Sequence, residues 1–235
     1  MTRTIYVLEM PTRTREGPDT IGIAAVHVGT PTILAETDGV AVWSGIRKQP
    51  VAPDSTIWMS TVNLAGDGQA DLSVHGGPDK ALYAYPSEHL APWAAELETE
   101  LGPAPFGENL DTIGVTEDDV CIGDIWSWGE ATLEVCQPRW PCFKLALHRG
   151  RADVQQRMRR NGRLGWYLRV LEPGAVRTSG QIAILRRDPV GLTITDAHLA
   201  MSDRHLERPE LLAALVAHER LSDEWREPLA ERLAR

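Results

Sequence analysis

The chemistry of this chain centres on Cys142, within the stretch Cys136-Gln137-Pro138-Arg139-Trp140-Pro141-Cys142-Phe143-Lys144-Leu145. Two prolines fix two backbone φ angles between the cysteines, so the loop is stiff and the second thiol has a set place. Cys142 follows Pro141 where a helical turn is expected to begin. Free backbone N–H groups there, with Arg139 and Lys144 nearby in sequence, favour thiolate over thiol. Such a thiolate can bind a metal or attack an electrophile. The alternative is a buried structural cysteine, a common fate of free thiols.

Three further stretches carry candidate ligand-binding groups. Arg47-Lys48-Gln49-Pro50 places two cations at the end of an expected strand, either facing an anion or forming a solvated edge. His75-Gly76-Gly77-Pro78-Asp79-Lys80 pairs glycines, whose backbone can approach a ligand closely, with a polar and a positive side chain. It reads equally as a loop needing positive φ. Phe106-Gly107-Glu108-Asn109-Leu110 is a short polar turn in which Glu108 and Asn109 shape a pocket or only close the turn.

The elements that must hold these groups are mostly strands. β-branched and apolar runs predict strands at 4–8, 21–28, 39–46, 81–85, 120–128, 131–136, 165–171, 175–177 and 181–185, with a hairpin at Gly129-Glu130. Leu90, Trp93, Ala94, Leu97 and Leu101 recur at helical spacing, and Gly102-Pro103 is the expected stop. Asp153 is a candidate cap for a helix ended by Gly162. From Pro189 the texture turns helical, with helices expected from Thr195, Pro209 and a Ser222 cap. The division expected is a β-rich domain at 1–188 and a three-helix unit at 189–235.

With 235 residues, 43% hydrophobic and 24% charged, the chain can bury a full core as a globular protein. Its net charge of −9 argues against broad nucleic-acid binding, which needs a basic face. Three cysteines without a CxxC pair suggest neither a disulfide framework nor a standard zinc site, and fit a reducing compartment. Neither a leader pattern nor an apolar segment of membrane-spanning length is read, so the expectation is a cytoplasmic protein.

Four passages, in order, resemble the MOSC domain family, named after the carboxy-terminal domain of molybdenum-cofactor sulfurases. They are Ser44-Gly45-Ile46-Arg47-Lys48-Gln49-Pro50-Val51, Gly66-Asp67-Gly68-Gln69-Ala70-Asp71 running on to His75-Gly76-Gly77-Pro78-Asp79-Lys80-Ala81, Phe106-Gly107-Glu108-Asn109-Leu110, and Gln137-Pro138-Arg139-Trp140-Pro141-Cys142-Phe143-Lys144-Leu145. Tyr85-Pro86-Ser87-Glu88-His89, Gly165-Trp166 and the helical tail look most like the YiiM-like subgroup. The match begins near Val40, leaving 1–39 poorly matched. The resemblance implies a mainly β (α+β) fold, a mostly antiparallel β-barrel with flanking helices and a C-terminal three-helix unit. Trp140 departs from smaller residues in some relatives.

The same resemblance implies the molybdenum cofactor in a basic cleft, with Cys142 as metal ligand and catalytic residue. Lys48, His75, Gly76, Gly77, Lys80, Asn109, Arg139 and Lys144 become cofactor-binding candidates. Members of this kind reduce N-hydroxylated compounds such as 6-hydroxylaminopurine, a detoxification. No G-x-G-x-x-G fingerprint is present, so electrons are expected from a separate redox protein, plausibly a flavoprotein. A cofactor carrier or store, and a sulfur-transfer protein using a Cys142 persulfide, stand as rivals.

Overall fold

Alternation along two strands sets the architecture. In Trp166–Glu172, Trp166, Leu168 and Val170 turn into one apolar core while Tyr167 and Arg169 turn to the other side. Leu82–Pro86 behaves likewise, with Leu82 and Ala84 in that core and Tyr83 and Tyr85 in a second one. Successive strand residues point to opposite faces, so these strands form the wall between two packed layers.

The computed structural model describes residues 17–72, 76–203, 205, 206 and 208–234. Twelve strands are described: β1 Thr20–Val28, β2 Thr32–Thr37, β3 Val40–Ser44, β4 Gln49–Pro50, β5 Thr56–Met59, β6 Leu82–Pro86, β7 Leu110–Ile113, β8 Ile125–Trp128, β9 Ala131–Pro138, β10 Trp166–Glu172, β11 Gly174–Arg177 and β12 Gly180–Arg186. Seven close into a barrel in the order β1-β12-β8-β9-β10-β6-β7 and back to β1. Every barrel pair is antiparallel except β6 with β7. β4 adds to β1, β2 pairs with β3, and β5 pairs with β11. Closure removes the exposed edges that an open sheet would present.

The expected hairpin joins β8 to β9, Trp128 opposite Ala131. Gly129 has φ 60°, and a Cβ there would lie 2.5 Å from the Ala175 carbonyl oxygen, so the turn requires glycine twice over.

The helices are α1 Leu90–Leu97, α2 Phe143–Arg149, α3 Val154–Asn161, α4 Ile194–Ser202, α5 Pro209–Ala217 and α6 Asp223–Leu233. Side chains of α1 to α3 pack with Tyr83, Tyr85 and Phe106 in the second core. The last three helices share the barrel's own core, in which Leu211, Leu215, Leu221, Trp225 and Leu229 join Trp126 and Trp166.

Several boundaries differ from expectation for local reasons. α1 stops at Leu97, not at Gly102-Pro103, because Glu98 takes a left-handed conformation. Asp153 gives no side-chain cap and instead pairs with Arg151 and Arg157. Thr193, not Thr195, caps α4 through a reciprocal capping box with Asp196. Residues 120–124 precede β8 as turn and bridge, while β2, β4, β5 and β7 are additional to the expected strands. The strand expected at 4–8 lies outside the described residues.

Candidate functional site

Where β3, β6 and β10 meet the loops that follow β3, β5 and β9 and the loop that precedes β7, they leave a cleft of about 670 Å³, counting space open to solvent. Its lining includes Lys48, Lys80, Asn109, Arg139, Cys142 and Lys144, together with Tyr83 and Tyr167 from the outward positions of β6 and β10. Gly45 sits at its edge, where a Cβ would meet the Gly68 carbonyl oxygen at 2.1 Å, so two loops close against each other only with glycine present.

One end of the cleft is a buried polar knot. Lys48 is ion-paired with Asp67, and both side chains are almost fully enclosed. Burial pulls the Lys48 ammonium below its usual range, opposed by the Asp67 charge and hydrogen bond. Asp67 also accepts from the Gly29 N–H at 2.9 Å and from Asn109 Nδ2 at 2.9 Å. Asn109 donates besides to the His27 carbonyl at 3.2 Å and accepts from the Tyr83 N–H at 3.2 Å. Its amide is therefore engaged at both ends and acts as a brace. Arg47 points elsewhere, donating to the carbonyls of Ile33 and Leu34.

Arg139 lies buried in the cleft wall. Its guanidinium donates to Met158 Sδ at 3.2 Å and to the Phe106 carbonyl at 3.5 Å, and sits 5.5 Å from the Tyr83 ring centroid. Among the described residues no carboxylate forms an ion pair with it. Burial works against the cation, yet the charges of Tyr83, Tyr167, Cys142 and Glu108 together hold its pKa above the ordinary arginine value. A buried cation with such weakly basic partners is a natural place for an anionic ligand.

Cys142 is the residue immediately before α2, in extended conformation, and its carbonyl accepts from the Leu145 N–H at 3.0 Å. It is partly exposed, whereas Cys121 and Cys136 are buried. The Cys136 thiol donates to the Asp79 and Tyr167 carbonyls, and burial pushes its pKa up. No group of three or more His, Cys, Asp or Glu among the described residues is arranged to hold a metal.

Behind the lining, Glu108 is wholly buried, with Oε2 accepting from the Phe106 N–H at 2.8 Å and Oε1 without a hydrogen-bond partner. Burial, with the Asp111 charge, pushes its carboxyl up to about 8. Burial also raises Asp111 to about 7. His27, whose Nδ1 is 3.9 Å from Asp111, is lowered to about 4 by burial and by Lys48.

Of the residues expected at the site, Lys48, Lys80, Asn109, Arg139, Cys142 and Lys144 are brought together. Gly76 and Gly77 stand outside the lining, with Gly77 preceding the short 3-10 turn Pro78–Lys80. His75 lies outside the described residues. Sequence reasoning missed Tyr83 and Tyr167, although the period-two pattern of their strands marks both as outward-facing. It also missed the part played by Asp67, which stands in a family passage without a role of its own.

Known proteins resemble this chain in sequence and in fold. The MOSC domain model matches residues 71–183. The protein YiiM of Escherichia coli is 38% identical over 215 residues, covering 88% of this chain and 91% of that protein. A crystal structure of YiiM from Geobacillus stearothermophilus superposes with a TM-score of 0.75 at 30% identity, over 91% of this chain and 99% of that one. A reductase of Gibberella moniliformis is 37% identical over 153 residues, which is 63% of this chain but 27% of that protein. Similar to the Escherichia coli and Geobacillus stearothermophilus YiiM proteins over about nine-tenths of its length, this chain belongs to the MOSC domain family as a YiiM-like member.

Proposed function

We propose that the chain is a molybdenum-cofactor-dependent reductase of N-hydroxylated compounds, with 6-hydroxylaminopurine-like bases as a substrate class. The observation that carries the reading is the pairing, in one cleft, of a partly exposed thiol at Cys142 with the buried Arg139 guanidinium. The donor set fits the cofactor: one soft thiolate for the metal, and cations for a phosphate. The reductase relative supports the reaction class.

Cys142 would be the protein ligand of the metal. Arg139, Lys80 and Lys144 would hold the cofactor's anionic end. Lys48 and Asn109 shape that wall from within the buried knot. When bound, the cofactor supplies two-electron reduction of the N–O bond, in which the hydroxylamine, two electrons and two protons give the amine and water. Tyr83 and Tyr167 offer the cleft flat aromatic surface. Burial raises the Tyr167 phenol to about 12, so it stays protonated as a donor. Electrons would come from a separate redox protein, a flavoprotein by class, in the cytoplasm. The reading keeps a barrel domain at 1–188 and a helical unit at 189–235.

The test is metal and pterin analysis of the purified protein, joined to single-turnover reduction of an N-hydroxylated base by the prereduced protein. About one molybdenum per chain and amine formation are expected. Cys142→Ser should lower turnover by about 10³-fold or more, because oxygen replaces a soft ligand, while Cys136→Ser keeps the metal. Full turnover by Cys142→Ser with an unchanged X-ray absorption spectrum at molybdenum would overturn the ligand assignment. A metal-free protein carrying a Cys142 persulfide would overturn the reductase reading.

A further inference from the structure

Lys48 and Lys80 both line the cleft and both face a carboxylate, but the two pairs differ in whether they can come apart. Asp67, the partner of Lys48, is held by two further hydrogen bonds and is sealed from water. Glu224, the partner of Lys80 at 2.5 Å, belongs to the first turn of α6 and leaves 48% of its side chain exposed. Its other contact is a long one, 3.4 Å from Gln137 Nε2. A glutamate so placed can turn into solvent at little cost, because water replaces what it leaves. Lys80 cannot follow, since only 11% of its side chain is exposed.

We propose that Glu224 is a specificity-determining counter-ion of the cleft: an anionic group of the phosphate class binds at Lys80 by displacing the Glu224 carboxylate. Glu224 reaches Lys80 from a helix that supplies none of the residues lining the cleft. The start of its helix is tied to β9 and to the loop that follows β9. The Ser222 N–H donates to the Cys136 carbonyl at 3.1 Å, and Trp225 meets Trp140 edge to face with centroids 5.7 Å apart. Displacement of Glu224 is thereby felt at the start of α6, beside the loop that carries Cys142. The carboxylate also sets a threshold. A neutral group gains nothing at Lys80 by removing an existing ion pair, whereas an anion replaces one charge interaction with another, so Glu224 discriminates against uncharged ligands.

This inference deepens the cofactor reading, since it assigns a role to Glu224 at the same cleft, and its test uses inorganic phosphate in place of the cofactor. Phosphate affinity of the full chain is measured by calorimetry for the wild type, Glu224→Gln, Lys80→Gln and the double variant, with each fold checked by circular dichroism. Glu224→Gln should bind phosphate about threefold more tightly, the scale of a part-exposed ion pair. In the Lys80→Gln background the same substitution should change nothing. In the wild type, backbone amide resonances of Asp223, Glu224 and Trp225 should shift as phosphate is added, a readout that does not depend on any variant folding. The proposal is overturned by equal phosphate affinity with and without Glu224, by an equal gain in both Lys80 backgrounds, or by α6 resonances that stay still through saturation. None of these outcomes depends on molybdenum content, so a metal-free protein that showed the threefold gain would sink the cofactor reading and leave this one standing.

Discussion

The two ends of the cleft use one chemistry in two environments. At the barrel end, Lys48 and Asp67 are enclosed together and tied to Gly29 and Asn109. At the helical end, Lys80 meets a carboxylate that is half in water. In the enclosed pair both charges have lost hydration, and the Asp67 charge opposes the pull of burial on the Lys48 ammonium. In the open pair, solvent competes for the carboxylate and keeps it exchangeable. The lesson is that a lysine in a binding cleft is defined by the burial of its partner: Lys48 is framework, and Lys80 is a contact that a ligand can take over.

The largest expected effect therefore comes from the enclosed end. Asp67→Ala removes the partner of a buried ammonium and two backbone or amide acceptor contacts at once. We expect a loss of about 3–5 kcal/mol of stability, read by chemical denaturation. A loss below about 1 kcal/mol would mean that Lys48 simply gives up its proton or finds water, and the contrast between the two ends would fail.

Next in size is the pH dependence set by the buried acids behind the same end. The folded pKa of Glu108 is raised to about 8 from an ordinary value of 4.5, chiefly by burial. The folded state then holds a proton that the unfolded state has released, so this group's stabilisation is complete below about pH 4.5 and is lost as pH rises towards 8. Asp111, raised to about 7, acts in the same sense. His27, lowered to about 4, acts oppositely and at lower pH, its contribution being lost as pH falls below 6.5. Arg139 pulls Glu108 back towards ionisation without overcoming burial. Glu108→Gln should flatten the stability profile between pH 5 and 8 by on the order of 2 kcal/mol relative to the parent chain. Parallel profiles for the two proteins would place the proton elsewhere.

Much of the site was legible because its residues lie in short, dense motifs. Prolines around Cys142, and cations next to strand ends, read directly from residue type and spacing, and the cleft brings Lys48, Lys80, Arg139, Cys142 and Lys144 together. What sequence could not carry was partnership across the fold. Asp67 is separated from Asn109 by 42 positions, and Glu224 reaches Lys80 from a helix in which residue type and spacing mark a buried face at Trp225 and Leu229 but no partner for Glu224. The additional strands, β2, β4, β5 and β7, are short or mix polar with apolar residues, so neither period-two alternation nor an apolar run announces them. α1 ran short because Glu98 adopts a left-handed conformation at φ 51°, which a non-glycine residue gives no sign of in advance.

The smallest expected effect is the one that most sharply separates the two ends. Glu224→Gln keeps the side chain's shape, its place in the first turn of α6 and its reach to Gln137, and removes only the charge that faces Lys80. Because the carboxylate is half exposed, the pair gains little over hydration, and the substitution should cost about 0–1 kcal/mol in chemical denaturation, with the slope against denaturant unchanged. A part of that cost is the loss of a negative charge near a helix N-terminus, where it is favourable by a few tenths of a kcal/mol. Raising salt from 0.05 to 1 M should shrink the difference between parent and variant, since an exposed pair is screened and an enclosed one is not. If instead Glu224→Gln cost about 3 kcal/mol or more and salt left that cost untouched, the helical end would be as sealed as the barrel end. Lys80 would then be framework as well, and Arg139 and Lys144 would be left as the cleft cations for an incoming anion.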